Sequence, residues 1–346
     1  MGRVAALLAA VLALTGGIAA CGEDGAEPGA PQGATLVLDF QPNAVHAPLY
    51  AAVATGELDG AGIELEIREP SGTADGAKLL ESGRADFAIL DINDFGIARE
   101  QGVDMVAVAA IVQRPLASVI AAGPEAPESP SGLEGETVGV TGVPSDDAVL
   151  DTVLAADGLE PDSVERQTIG FTAVPALAAG RIAAATAFWN AEGVQLRQQG
   201  VPVQEFRVDE YGAPRYPELV IATAGDDDAP ADRDLTCRLL RGLGPSYASL
   251  DNDPQAALDA MIEEVPGLDA TSQQGQYAEL IAADAFAPGE DQPSSPALDK
   301  GAVSDWAAWA SEHGVVGRQA GDELPSGFLP NAVRNCTLDP PDGDQS

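Results

Sequence analysis

From Leu36 onward the chain alternates short apolar runs with longer stretches of mixed polarity, and the apolar runs end in polar or aromatic clusters. Leu36-Val37-Leu38 leads into Asp39-Phe40-Gln41-Pro42-Asn43, and Pro48 opens a helix through Leu49 to Thr55. Proline suits a first helical turn, so residues 43–47 are expected to be loop rather than buried helix. Ile63-Glu64-Leu65-Glu66-Ile67 alternates like a strand with one wet face. Glu69-Pro70-Ser71-Gly72-Thr73 breaks it, and a helix from Ala74 to Glu81 ends at Ser82-Gly83. Asp86 to Leu90 is a third strand, running into Asp91-Ile92-Asn93-Asp94 and a helix to Glu100; Met105 to Ile111 is a fourth. Strand, helix, strand at this spacing predicts parallel βαβ units, with the tips of strands one and three on one edge.

Val119-Ile120-Ala121-Ala122 and the loose segment Gly123 to Pro130 precede a fresh series beginning at Ser131 to Val140. Its first helix starts near Pro144-Ser145-Asp146-Asp147, where Ser145 can cap the helix or touch a ligand, and the two acids suit the helix dipole. Strands follow at Val164 to Ile169, Ala183 to Ala187 and Val203 to Val208, with helices from Thr172 to Ala179 and up to Gln199. Leu219 to Ala224 reads as a return crossing. Helices alone come after it: Leu235 to Leu250, Pro254 to Glu264, Ser272 to Ala285 and Ala302 to His313. A βα lobe, an inserted βα lobe, two crossings and a helical tail predict an α/β, two-lobed type II periplasmic-binding-protein fold. Residues 34–118 and 222–338 would form one lobe, 119–221 the other, and 339–346 a disordered tail. Ligands belong at such strand ends, and lobes of this kind close by a hinge.

The first residues place the protein. Met1-Gly2-Arg3 is followed by an uncharged run from Val4 to Ala20, too short to remain as a spanning helix and therefore an export signal. Ile18-Ala19-Ala20-Cys21 resembles the bacterial lipoprotein cleavage box, which implies that Cys21 carries the lipid and that the chain sits at the outer face of the cell membrane. Residues 21–33, rich in Gly, Pro, Ala and acid, read as a flexible tether. The formal net charge of −38 repels nucleic acid and anionic lipid, so the lipid anchor would be the one membrane contact. The remaining cysteines, Cys237 and Cys336, suggest one disulfide in an exported chain, and no CxxC or Cys/His cluster points to a metal.

Leu38-Asp39-Phe40, Pro42-Asn43, His46 and Leu49-Tyr50 resemble the "LDW-PN--H-GLY" signature of the thiamine-pyrimidine-precursor family of substrate-binding proteins. Ser71-Gly72, Asp86-Phe87-Ala88, Ile111 to Leu116 and Trp189-Asn190-Ala191-Glu192 fall in that family's order, over about residues 34–224. Phe40 replaces the commoner Trp and Pro48 the commoner Gly. The resemblance implies delivery of an aminopyrimidine to an ABC importer, and near relatives carry riboflavin, nitrate or sulfonates; a monomer without a cofactor is expected. A flat heterocycle needs aromatic faces and a few polar groups. Phe40, Tyr50 and Trp189 can supply faces, Glu192 the carboxylate that accepts from an amino group, and Asp91 or Asp94 an alternative carboxylate. Asn43 and His46 can donate and accept around the ring edge, although His46 can equally satisfy its own loop, and Ser145 and Asn190 are further candidate ligand contacts. Tyr211 and Tyr216 can close over the cleft or pack beneath it.

Other classes have less to stand on. Nitrate or sulfonate calls for cations, whereas the predicted tips carry Asp39, Asp91, Asp94, Asp146, Asp147 and Glu192, with Arg114 the one cation nearby in the pattern. The family's eukaryotic branch makes the pyrimidine enzymatically with a cysteine-rich motif, which this sequence lacks, as it lacks GxSxG, GxxxxGK[ST] and HExxH. An extracytoplasmic sensor would share every feature and differ only in its partners.

Overall fold

The computed structural model describes residues 31–70, 75–226, 229–289, 291–317, 327–329, 332 and 335–336. Residues 1–30, with Cys21 and most of the tether, lie outside these, as do Ser71-Gly72 and residues 339–346. No helix among the described residues is long and apolar enough to cross a membrane.

Two sheets carry the molecule. The first is assembled from β1 (Gln32–Val37), β2 (Ile63–Arg68), β3 (Phe87–Asp91) and β4 (Met105–Val112). The second holds β5 (Ala117–Ala122), β6 (Thr137–Val140), β7 (Glu165–Thr168), β8 (Ala184–Phe188) and β9 (Val203–Arg207). The chain then returns to the first sheet as β10 (Leu219–Asp226), extended by the short β11 (Ala229–Pro230). Strand order is β2-β1-β3-β10-β4 in the first and β7-β6-β8-β5-β9 in the second. Each sheet is therefore three parallel strands, then one antiparallel strand delivered by a crossing, then an edge strand paired to that newcomer. Local periodicity marks the parallel units but not these insertions. A strand lying between β3 and β4 leaves no local trace, because its register is set by partners about a hundred residues away.

The same pairing corrects the lobe limits. Ala117 and Ser118 already pair with Phe188 and Ala187 in the second sheet, and Leu219 to Ile221 pair with Asp91 to Ile89 in the first. The crossings are thus residues 113–116 and 208–218. Gln32 and Gly33, expected in the tether, open β1 and pair with Ile63 and Glu64.

Helices α1 (Ala47–Ala54), α2 (Glu57–Gly60), α3 (Asp75–Glu81) and α4 (Ile92–Glu100) belong to the first sheet's series, and α5 (Pro144–Ala156), α6 (Ala173–Ala178) and α7 (Val194–Gln198) to the second's. The tail supplies α8 (Arg233–Leu250), α9 (Pro254–Glu264), α10 (Ala270–Ala282) and α11 (Lys300–Glu312). Asp232, Asp253, Asp269 and Asp299 cap these four through side-chain acceptance of first-turn N–H groups, so part of the acidic excess is spent on helix starts. α8 and α9 cover α1, which is why α1 buries Ala47 through Ala52 despite its short length. Cys237 of α8 and Cys336 form a disulfide that closes a sequence separation of 99 residues.

Candidate functional site

The C-terminal tips of the parallel strands gather the candidate residues. β1 ends before Leu38-Asp39-Phe40 and β3 ends at Asp91, next to it in the sheet. In the second sheet β6 ends before Thr141-Gly142-Val143, β7 before Ile169-Gly170-Phe171, and β8 at Phe188 before Trp189 to Glu192. Among the described residues the exposed large apolar ones are Phe40, at 54 %, Val143, at 42 %, and Phe171, at 77 %, and each sits at one of these tips. Val143 and Phe171 each follow a glycine at positive φ, Gly142 at 102° and Gly170 at 56°. Those glycines turn the chain out of the strand in a conformation that a side-chain-bearing residue seldom adopts. Sequence reasoning missed both residues, although a bulky apolar residue after a strand-end glycine is a legible signal.

The loop after β1 is a braced element. Residues 44–46 form a 3-10 turn, wholly buried, that runs straight into α1, in place of the expected loop. Asn43 caps it, its Oδ1 accepting from Val45 N–H at 3.2 Å, and its Nδ2 donates to Gln41 O at 3.0 Å. His46 Nδ1 accepts from Asn43 N–H at 3.2 Å, which leaves Nε2 to carry the proton 2.8 Å from Asp39 Oδ1. Both ring nitrogens are used within the loop and the side chain has no exposed surface, so His46 shapes the tip. Tyr50 is likewise taken up in the core beneath α1.

Another expected face, that of Trp189, turns inward, and Tyr216 packs inside as well. Trp189 is fully buried, its indole N–H donates to Pro115 O at 2.9 Å, and Arg207 covers one ring face. It packs the first crossing and offers no free face. Tyr216 is fully buried and stacked on Trp309 at 5.7 Å between centroids, so it packs beneath the second crossing, while Tyr211 lies edge-on to Phe206. Ser145 is half-buried within the first turn of α5, whose N-cap is Val143; Asp146 instead binds Thr141 N–H and Oγ1. Asn190 is buried, and its Oδ1 lacks a partner among the described residues.

Carboxyl groups dominate what remains. One turn of π-helix at Trp189–Gly193 swings Glu192 back so that it accepts from Phe188 N–H at 3.0 Å. Burial pushes its carboxyl above the ordinary range, and that N–H only partly offsets it. Glu192 lines a cavity of about 430 Å³ with Phe171, Val174, Pro175, Gln195 and Gln199. One wall, from α6 and the tip of β7, is apolar; the other, along α7, is carboxylate and amide. Asp91 caps α4 through Asn93 N–H at 2.7 Å. Its carboxyl is pushed well up by burial and by Glu218. Asp94 keeps an exposed flank, yet burial of its carboxyl and the charge of Asp91 push it up to about 7. Arg114, the one cation nearby in the sequence pattern, is bonded to Asp209 and Glu210 at the second crossing and to Ala283 O.

The segments near residues 40 and 190 meet the same helix. α10 packs against both the 44–46 turn and the 189–193 turn, and one core cluster holds Val45, Tyr50, Leu116 and Trp189. Residues 43–257 match the family model described as NMT1/THI5 like. The chain belongs to that family. It is similar to the formylaminopyrimidine-binding protein of Halalkalibacterium halodurans, 28 % identical over 228 residues covering 66 % of this chain and 69 % of the relative. It is also similar to a riboflavin-binding protein of Chloroflexus aurantiacus, 27 % identical over 251 residues, with 68 % and 67 % covered. Among solved structures, the alkanesulfonate-binding protein SsuA of Xanthomonas axonopodis pv. citri superposes with a TM-score of 0.63 at 14 % identity, over 87 % of this chain and 99 % of that one. The NMT1/THI5-like chain therefore has the periplasmic-binding-protein fold, two-lobed with two crossings and a helical C-terminal region.

Proposed function

We propose that this protein is the extracytoplasmic substrate-binding lipoprotein of an ABC importer and captures a planar, amino-bearing heterocycle of the thiamine-pyrimidine class. In this reading Cys21 carries the lipid anchor, a monomer binds one ligand, and the closed form is delivered to a membrane permease without chemical change. The observation that carries the reading is the pairing of Phe171 with Glu192 in one cavity at the tips of β7 and β8. An exposed aromatic ring offers a stacking face, and a carboxyl beside it accepts from ring amino groups. Phe40 is the corresponding face from the first sheet, with Asn43 and Asn190 at the ring edge and Asp91, Asp94 and Ser145 at the neighbouring tips. The tips are acidic and Arg114 is engaged elsewhere, which disfavours nitrate or sulfonate. The similarity to a formylaminopyrimidine-binding protein supports the same class.

Calorimetry with formylaminopyrimidine tests it. Glu192→Ala is expected to weaken binding by about 1.5–3 kcal/mol, the range for a hydrogen bond to a charged group. Unchanged affinity removes Glu192 from the site. The two amides on the α7 wall, Gln195 and Gln199, favour a second reading, in which a larger heterocycle with a hydrogen-bonding tail is bound. A thermal-shift panel of aminopyrimidine, riboflavin, taurine and nitrate separates the readings, since a true ligand raises the melting temperature with concentration.

A further inference from the structure

We propose that Asp91 and Glu218 share one proton between their carboxyl groups, and that this proton latches the two crossings, so that the hinge loosens when it is lost. Glu218, the last residue of the second crossing, is 1 % exposed. Its Oε2 accepts from Leu116 N–H, in the first crossing, at 2.6 Å. Its backbone carbonyl accepts from Ile92 N–H, the first residue of α4, at 2.9 Å. Leu219 is the register partner of Asp91, and the two carboxyl groups lie within hydrogen-bonding reach of each other. One residue of the second crossing is therefore tied to the first crossing by its side chain and to the start of α4 by its backbone.

Two carboxylates cannot both stay ionised at that separation in a buried site, so the pair holds a proton as a unit. The surrounding groups reinforce this. Asp209 and Tyr216 approach from the second crossing and Asp94 from α4, while Arg114 is directed at Asp209 and Glu210. Tyr216 OH is buried with no partner among the described residues. Loss of the shared proton places two like charges between Leu116 and α4, and relief comes from separating the crossings. The latch sits at the crossings and acts whatever ligand is bound.

The test is hydrogen–deuterium exchange of residues 115–119 in the full, ligand-free chain from pH 5.5 to 8.5, corrected for intrinsic rates. Protection of Leu116 is expected to fall about tenfold per pH unit once the proton is lost, as linkage to one proton requires. In Glu218→Gln and Asp91→Asn an amide N–H replaces the shared proton, and protection should stay at its low-pH level throughout. Wild-type protection that ignores pH, or variants that follow the wild-type curve, overturns the proposal. Asp91→Asn leaves the Leu116 acceptor in place, so it keeps the test decisive if Glu218→Gln fails to fold.

Discussion

Arg207 lies over the face of Trp189, its guanidinium carbon 4.0 Å from the ring centroid. Arg207 is itself held by Glu205 at 3.1 Å and by Glu279 of α10 at 3.4 Å, and Arg197 meets the same two carboxylates. The tryptophan is thereby sealed between the first crossing and a charged brace reaching the helical tail. Trp189→Ala should cost about 3–5 kcal/mol of stability, as for other large core truncations, read from a urea unfolding curve. Arg207→Lys keeps charge but loses the planar stack, and about 1 kcal/mol is expected. A ligand-stacking tryptophan would instead lose affinity at unchanged stability.

His46 fixes the β1 tip from both ring nitrogens. His46→Ala leaves Asn43 N–H without its acceptor in a buried loop, and a loss of about 1–3 kcal/mol is expected. Chemical denaturation checks it. Affinity should change only through the loop's fraying, so a variant fully folded at low temperature should still bind.

Acid strengthens this protein over part of the pH range. The carboxyls of Asp91, Asp94, Glu192 and Glu218 are all raised in the folded chain, so they bind protons that the unfolded chain has already released. Their contribution is fully present below the ordinary carboxylate range and is lost as pH rises through the folded values, with Asp94 titrating at about 7. The melting temperature should fall from pH 5 to pH 8. Asp94→Asn should flatten the upper part of that slope, and a melting temperature that climbs across the window would contradict the assignment.

The Cys237–Cys336 bond closes 99 residues of chain, spanning α9, α10 and α11. Reduction should lower stability by about 2–4 kcal/mol through the freedom restored to the unfolded chain. Thermal melts with and without reductant measure it, and Cys237→Ser with Cys336→Ser should reproduce the reduced value.

Phe171 is 77 % exposed, so removing it takes little from the core. Phe171→Ala should leave the stability of the free protein within about 0.5 kcal/mol of wild type, read from a urea unfolding curve. The same change should weaken binding of formylaminopyrimidine by about 1 kcal/mol or more, the scale of an aromatic stacking pair.

The signals that placed most elements are local ones. Alternation in Ile63 to Ile67, the apolar run from Met105 to Ile111 and the glycine stops at Gly83, Gly102, Gly180 and Gly200 mark boundaries that the structure reproduces to within a few residues. Strand ends were legible for the same reason, and so Phe40, Asp91 and Glu192 fall at tips. The direction in which a side chain leaves a tip is not a local property. Trp189 and Glu192 are three residues apart on one turn, yet the π-helical winding sends the indole under Arg207 and the carboxyl into the cavity.

By itself the sequence determined periodicity, turn chemistry and charge: a βα series repeated twice, a helical tail, acidic strand tips and a cysteine pair. Tertiary structure alone decided that β5 and β10 insert antiparallel into the sheets they cross to. It also turned His46, Trp189 and Tyr216 inward, left Phe171 outward, and brought Glu218 against Asp91. Local rules act over a few residues, whereas these outcomes depend on which distant backbone supplies a strand's partner or a carboxylate's neighbour, and only the folded chain brings those together.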